Sequence, residues 1–289
     1  MAEPLLKVRD LRVTYPGPPP VKAVRGISFD LYPGEVLGLV GESGCGKSTV
    51  ARAVSGLLKP SHGIVEFGGN LVKPLTMRRR PIGHTGVQMV FQDPASSLNP
   101  RRRVGRQVAD GLATAARRHA DDAVKAPGLD RHPADDAVQA VTAAGTGRSA
   151  LTPAEWLERV GLEAADASRF PRSFSGGQRQ RIAIARALAA EPSLLIADEP
   201  ISSLDASTQA RVAGIMCQLA AEEDVALLFI SHDLSIVRLI ADRLLVMVDG
   251  QIVEEGPTDR IWDAPEHPYT RRLLASIPKP DGLGILPGG

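Results

Sequence analysis

Nine residues constrain this chain more than any others: Gly41-Glu42-Ser43-Gly44-Cys45-Gly46-Lys47-Ser48-Thr49. The run follows a short apolar stretch, Val36 to Val40, which reads as a buried strand, and precedes a helix-like stretch predicted from Ser48 to Leu58. A strand, a Gly-x4-Gly-Lys-Ser loop and a helix form the context of a phosphate-binding loop. Glycines let the backbone curl so that successive N–H groups point inward, and the helix N-terminus adds partial positive charge. Lys47 then reaches the β- and γ-phosphates of a nucleotide, and Ser48 offers its hydroxyl to Mg²⁺. Cys45 reads as a small space-filling member of the loop rather than a redox centre.

Such a loop demands an α/β core, and the rest of the chain supplies one. Short apolar runs at 87–91, 194–197, 225–230 and 244–248 alternate with helix-like segments, which argues for a mainly parallel sheet. Residues 5–15, 24–32 and 64–67 alternate and read as further strands; Pro33-Gly34 and Gly68-Gly69 mark turns, and Asp249-Gly250 closes a hairpin. Thr152-Pro153-Ala154-Glu155 is a helix start, and residues 178–190 carry apolar positions at helical spacing. No internal repeat is visible. Residues 113–150 are alanine-rich and lack Phe, Trp and Tyr; they read as a solvated helical insertion or a mobile loop, broken between Pro127 and Pro133.

Composition removes several classes. With 34 Lys+Arg against 33 Asp+Glu the net charge is +1, which gives no bulk reason to coat nucleic acid or an anionic membrane. Two cysteines exclude a disulfide framework and a four-thiolate metal site. The N-terminus has no signal-peptide core, and the longest clean apolar run, Val225 to Ile230, is far below the ~20 residues of a bilayer span. The expectation is a soluble, cytoplasmic chain that reaches a membrane only through a partner.

Two further motifs carry chemistry. Leu194-Leu195-Ile196-Ala197-Asp198-Glu199 is an apolar strand that delivers two acids to its carboxyl end, where ligands bind in parallel sheets. Asp198 is placed to hold Mg²⁺, and Glu199 to polarise an attacking water. Ser175-Gly176-Gly177-Gln178 opens a second helix with an anion-seeking N-terminus. One nucleotide does not need two such sites from one chain, so the second serves a nucleotide bound by another copy.

Taken together, the phosphate loop, Gln92 after a strand, Phe174-Ser175-Gly176-Gly177-Gln178, the Asp198-Glu199 strand, Ser202-Ser203-Leu204-Asp205 and His232 after a strand resemble the ATP-binding subunits of ABC transporters, over roughly residues 5–275. Phe174 stands where Leu is commoner and keeps an apolar anchor. The resemblance implies an ATPase core with a mainly parallel sheet (residues 1–92 and 173–255, including an N-terminal antiparallel β-subdomain), an inserted helical subdomain (93–172) and a C-terminal extension (256–289). It implies that Tyr15 stacks on adenine and that Gln92 contacts Mg²⁺ and the attacking water. It further implies that Asp205 couples the halves of a head-to-tail dimer and that His232 contacts the γ-phosphate.

The stretches 91–101 and 267–274 are similar to the peptide/nickel importer branch, so the expected partners are membrane permease subunits, a second identical or homologous ATPase and, indirectly, an extracytoplasmic solute-binding protein. Nucleic acid is not expected. Without cysteines near the C-terminus, no iron–sulfur cluster is expected. A soluble ABC ATPase of translation or DNA repair is the competing reading, disfavoured by a single motif set and an insert without heptads.

Overall fold

The computed structural model describes residues 3–75, 86–93, 97–125, 151–202 and 204–277. Ser203 and the expected break at 127–133 lie outside these residues.

The chain opens with an antiparallel sheet. Strands β1 (Leu6–Tyr15) and β2 (Val21–Leu31) pair directly, and β4 (His62–Phe67) and β5 (Asn70–Leu71) follow on the other side of β1, in the order β2-β1-β4-β5. The second sheet has six strands in the order β10-β9-β3-β8-β7-β6. Here β3 is Val36–Val40, β6 Val87–Val90, β7 Leu194–Asp198, β8 Ala226–Ser231, β9 Arg243–Val248 and β10 Gln251–Pro257. Five of them run parallel, and β10 returns antiparallel to β9. The Asp249-Gly250 turn that joins them has both residues at positive φ, as a tight hairpin requires.

The apolar runs are continuous because this sheet is covered on both faces. In β8, Leu227 and Phe229 face one cluster with the helices, while Ala226, Leu228 and Ile230 face a second cluster with α1 and the antiparallel sheet. The helices are α1 (Lys47–Val54), α2 (Val104–Lys125), α3 (Pro153–Arg159), α4 (Gly176–Leu188), α5 (Ala206–Glu222), α6 (Leu234–Ile240), α7 (Thr258–Asp263) and α8 (Pro268–Ala275).

Several boundaries differ from the sequence reading: β2 begins at Val21 rather than residue 24, and β4 at His62 rather than 64. Helix α1 stops at Val54 rather than Leu58, because Gly56 turns to φ +75 and its carbonyl binds Leu75 N–H instead. The strand read as 87–91 ends at Val90. The alanine-rich segment is not a separate solvated insertion where it is described. Its start continues α2, which begins at Val104 and buries Val104, Val108 and Ala115. A Cβ on Gly111 would stand 2.4 Å from the Arg186 carbonyl, so α2 lies hard against α4. Arg118 donates to the Ala190 and Glu191 carbonyls and clamps the helix there.

Candidate functional site

In the six-stranded sheet the carboxyl ends of β3, β7 and β8 meet at one edge. After β3 the chain passes to the far edge strand β6, while β9 lies on the other side of β3, so ligands are expected in the crevice beside β3. Each strand delivers its motif there: β3 runs into Gly41, β7 ends at Asp198, and β8 is followed by His232.

The loop between β3 and α1 is wrapped around its own lysine. Lys47 is almost wholly buried, and its Nζ donates to the Gly41 and Glu42 carbonyls at 2.8 Å each. Neighbouring segments brace the loop from outside. Gly250 N–H donates to the Cys45 carbonyl at 3.0 Å, and Glu42 N–H donates to the Tyr269 hydroxyl at 3.1 Å. Glycine is required at two places. A Cβ on Gly41 would stand 2.1 Å from the Met247 carbonyl, and one on Gly46 would stand 2.3 Å from the Ala23 carbonyl. Gly44, at φ +84, has open space around it. Cys45 is buried, and that burial pushes its thiol pKa up, which disfavours the thiolate.

The acids come to the same place. Ser48 Oγ donates to Asp198 Oδ1 at 2.7 Å. Asp198 is buried, and the loss of hydration raises its pKa against the lowering effect of the Ser48 hydrogen bond. A buried carboxylate beside a hydroxyl is a pair of hard oxygen donors, which suits Mg²⁺. Among the described residues no three His, Cys, Asp or Glu side chains gather into a cage. A nucleotide-borne Mg²⁺ does not need one, because it takes one or two protein oxygens together with phosphates and waters.

Glu199 sits just past β7 at φ +46, a left-handed conformation for a side-chain-bearing residue. Its N–H donates to the Ile230 carbonyl at 3.0 Å, and its own carbonyl accepts from Ser202. This aims its carboxylate between an ammonium and an imidazole: Oε1 lies 4.0 Å from Lys47 Nζ and Oε2 lies 3.4 Å from His232 Nδ1. His232 is half exposed.

The remaining predicted residues divide into those the fold joins to this group and those it does not. Tyr15 is joined: its hydroxyl is 3.3 Å from Thr49 Oγ1 at the start of α1. Ser43 and Gly44 form the exposed crest of the loop. Gln92 lies exposed two residues beyond β6, and among the described residues no hydrogen bond ties it to Ser48, Asp198 or Glu199.

Ser175, Gly176, Gly177 and Gln178 form a separate helix start. Ser175 Oγ accepts from Gln178 N–H at 3.3 Å while Gln178 Oε1 accepts from Ser175 N–H at 2.9 Å, a reciprocal capping box. The first-turn N–H groups of Gly176 and Gly177 keep no intrahelical acceptor. A Cβ on Gly177 would meet Thr208 Cγ2 at 2.7 Å, so this turn packs against the start of α5. Asp205 caps that helix, accepting from Thr208 N–H at 3.0 Å and Ser207 Oγ at 2.6 Å. These bonds pull its pKa down to about 2.

Comparison with known proteins decides the family. The ABC transporter family matches residues 24–202, and the family described as "Oligopeptide/dipeptide transporter, C-terminal region" matches residues 253–285. The chain belongs to the ABC transporter ATP-binding family. It is 44 % identical over 284 residues to the oligopeptide transport ATP-binding protein OppF of Bacillus subtilis, across 97 % of this chain and 85 % of that one. The corresponding protein of Salmonella typhimurium is 41 % identical, across 96 % and 78 %. The glutathione import ATP-binding protein GsiA of Salmonella choleraesuis is also 41 % identical, across 96 % of this chain and 42 % of that longer one.

Among solved structures, cbiO1 of Clostridium perfringens, part of the ABC transporter complex cbiONQ, superposes with a TM-score of 0.64 at 27 % identity, across 91 % and 92 % of the two chains. The dimeric ATP-binding cassette MJ0796 bound to ADP and Pi gives 0.62 at 25 % identity, across 88 % and 98 %. The expected ATPase fold is therefore present, and this member of the family is a transport-coupled ATPase. The translation or repair alternative is not favoured. Among the described residues no helix is long and apolar enough to cross a membrane.

Tyr269 was not singled out as a site residue by sequence reasoning. It lies within the stretch 267–274 read above as similar to the peptide/nickel importer branch, directly after the His267-Pro268 pair, a helix cap followed by Pro at the first helical position.

Proposed function

We propose that this chain is the ATP-hydrolysing subunit of an importer for oligopeptides or related small solutes, working as one half of a head-to-tail ATPase dimer on the cytoplasmic face of membrane permease subunits. The cargo reading rests on the names of the relatives and on the matched C-terminal region. An extracytoplasmic solute-binding protein would deliver the solute. We assign residues 1–92 and 173–255 to the ATPase core with its β-subdomain, 93–172 to the helical subdomain and 256–289 to an extension.

The mechanism rests chiefly on the grouping of Lys47, Ser48, Asp198, Glu199 and His232 at one sheet edge. Lys47 leaves the Gly41 and Glu42 carbonyls for the β- and γ-phosphates, while the N–H groups from Gly44 to Thr49 line the phosphates. Ser48, Asp198 and Gln92 would hold Mg²⁺, which neutralises charge on the phosphates. Tyr15 stacks on the adenine. Glu199 accepts a proton from the attacking water, and His232 holds Glu199 and the γ-phosphate in line. Ser175, Gly176, Gly177 and Gln178 of the second subunit close on the γ-phosphate, and Asp205 relays closure across the dimer. Hydrolysis removes the bridging group, so the halves separate.

The deciding experiment is Glu199→Gln, which keeps the side chain's size and removes its basicity. Turnover should fall about 10²- to 10⁴-fold, the range for a lost general base, with ATP binding retained and ATP-dependent dimers accumulating on a sizing column. Turnover within a few-fold of the natural chain would remove Glu199 from this role.

A further inference from the structure

The peptide unit between Gly41 and Glu42 is held at both ends. Its carbonyl accepts from Lys47 Nζ at 2.8 Å, and its N–H donates to the Tyr269 hydroxyl at 3.1 Å. In a trans peptide these two groups point in opposite directions, so the two bonds together fix how the plane is rotated about the chain. The plane needs such fixing, because one of its flanks is glycine, at φ +154, which resists rotation least.

The two anchors respond differently to a nucleotide. Lys47 is the cation that phosphate draws away from the Gly41 carbonyl. The Tyr269 hydroxyl is neutral, and burial raises its pKa further, so it stays protonated and in place at physiological pH. Its position is also tied back to the core. His267 Nδ1 accepts from Tyr269 N–H at 3.2 Å and caps α8. The N–H groups of Glu266 and His267 donate to the Glu254 carboxylate at 2.8 and 3.0 Å. Glu254 lies on β10, which pairs with β9, and the β9 carbonyl of Met247 is the one that crowds Gly41. The C-terminal helix, the hairpin and the phosphate loop thus form one closed frame.

We infer that Tyr269 is a positioning residue for ATP: its hydroxyl keeps the Gly41–Glu42 peptide in its phosphate-ready orientation while Lys47 transfers to the nucleotide. This makes the C-terminal region part of the nucleotide site, and it rests on the reading of residues 41–49 as the ATP loop. Removing the hydroxyl leaves a peptide plane free to rotate once Lys47 departs, and binding must then order it.

The test is Tyr269→Phe in the full chain, which keeps the buried ring. A neutral hydrogen bond corresponds to a factor of about 2 to 10 in an equilibrium, so the affinity for a fluorescent ATP analogue should fall by that factor and KM should rise with it. At saturating ATP, kcat should change by less than about twofold, and hydrogen exchange at the Glu42 amide should accelerate. A structural role alone would not produce that split between KM and kcat. Unchanged affinity in Tyr269→Phe, with Lys47→Ala binding weakly, overturns the inference alone. Lys47→Ala binding as tightly as the natural chain overturns the loop assignment and the inference with it. Should Tyr269→Phe fail to fold, the natural chain decides: a protected Glu42 amide without nucleotide supports the inference, and exchange at the rate of an open peptide overturns it.

Discussion

Trp156 is the largest wholly buried side chain of the molecule, and its replacement sets two opposed effects against each other. It lies on α3 in the same hydrophobic cluster as Phe174 and Ile182. Trp156→Ala opens a cavity that costs about 4 kcal/mol, the middle of the range for large-to-small core changes. The indole Nε1, however, has no hydrogen-bond partner among the described residues. A buried donor left unpaired costs about 2 kcal/mol, and alanine removes that cost. The net loss is therefore about 2 kcal/mol, a fraction of the 5–15 kcal/mol typical of a domain, so the variant still folds.

Trp156→Phe isolates the second effect. Phenylalanine keeps most of the ring and the stacking of Arg159, whose guanidinium sits 4.7 Å from the ring centre, while it deletes the unpaired N–H. Its stability should lie within about 1 kcal/mol of the natural chain. Urea unfolding followed by circular dichroism measures both, with Trp262 as an independent fluorescent reporter. If Trp156→Phe costs as much as Trp156→Ala, the indole N–H is paired and the reasoning is wrong.

Two more outcomes follow from the same geometry. Asp205 has its pKa lowered to about 2 by the bonds from Ser207 and Thr208, so it binds protons less readily folded than unfolded. Its contribution to stability is fully present above its ordinary value of 3.8 and fades as pH falls from there toward 2; Asp205→Asn should flatten that part of an acid-unfolding curve, and an unchanged curve would contradict the capping geometry. Gly46→Ala must move its Cβ or the Ala23 carbonyl by about 0.7 Å to relieve a 2.3 Å approach at φ +111. Because displacements of this size can cost about 10²-fold in function, ATP titration should show at least a tenfold loss of affinity; tight binding would mean that β2 does not brace the loop.

What could be read from sequence followed the range of the interactions involved. Strands β3, β7 and β8 were legible because burial on both faces leaves only apolar residues, and their carboxyl ends were legible because the polar motif begins there. The capping box at Thr152 and Glu155 and the Asp249-Gly250 turn were legible because each is complete within four residues. The start of α2 at Val104 was not, since what the helix packs against at Gly111, such as Arg186 of α4 and Ala189 just beyond it, lies far along the chain. The role of Tyr269 was missed for the same reason at a greater span: the stretch 267–274 stood out by resemblance, but a hydroxyl–amide bond across 227 positions leaves no local mark of which residue it joins.

The contrast between the two helix starts bears on how the enzyme distinguishes ATP from ADP. The loop at 41–49 is braced by β2, by the β9–β10 hairpin and by α8, and its lysine is satisfied by its own carbonyls before any ligand arrives. In the proposed mechanism the lysine exchanges those carbonyls for the β- and γ-phosphates, so this half registers the third phosphate through one side chain on a fixed frame. The Ser175 start is different: its hydroxyl accepts from Gln178 N–H and keeps its own proton, which on the proposed dimer would be free to donate to a γ-phosphate from the other subunit. A γ-phosphate there would add a charge-assisted hydrogen bond to the cap without breaking the one it has. On the proposed dimer a γ-phosphate therefore meets Lys47 of one subunit and the Ser175 helix start of the other, so the discrimination of ATP from ADP is shared by both halves of each pocket.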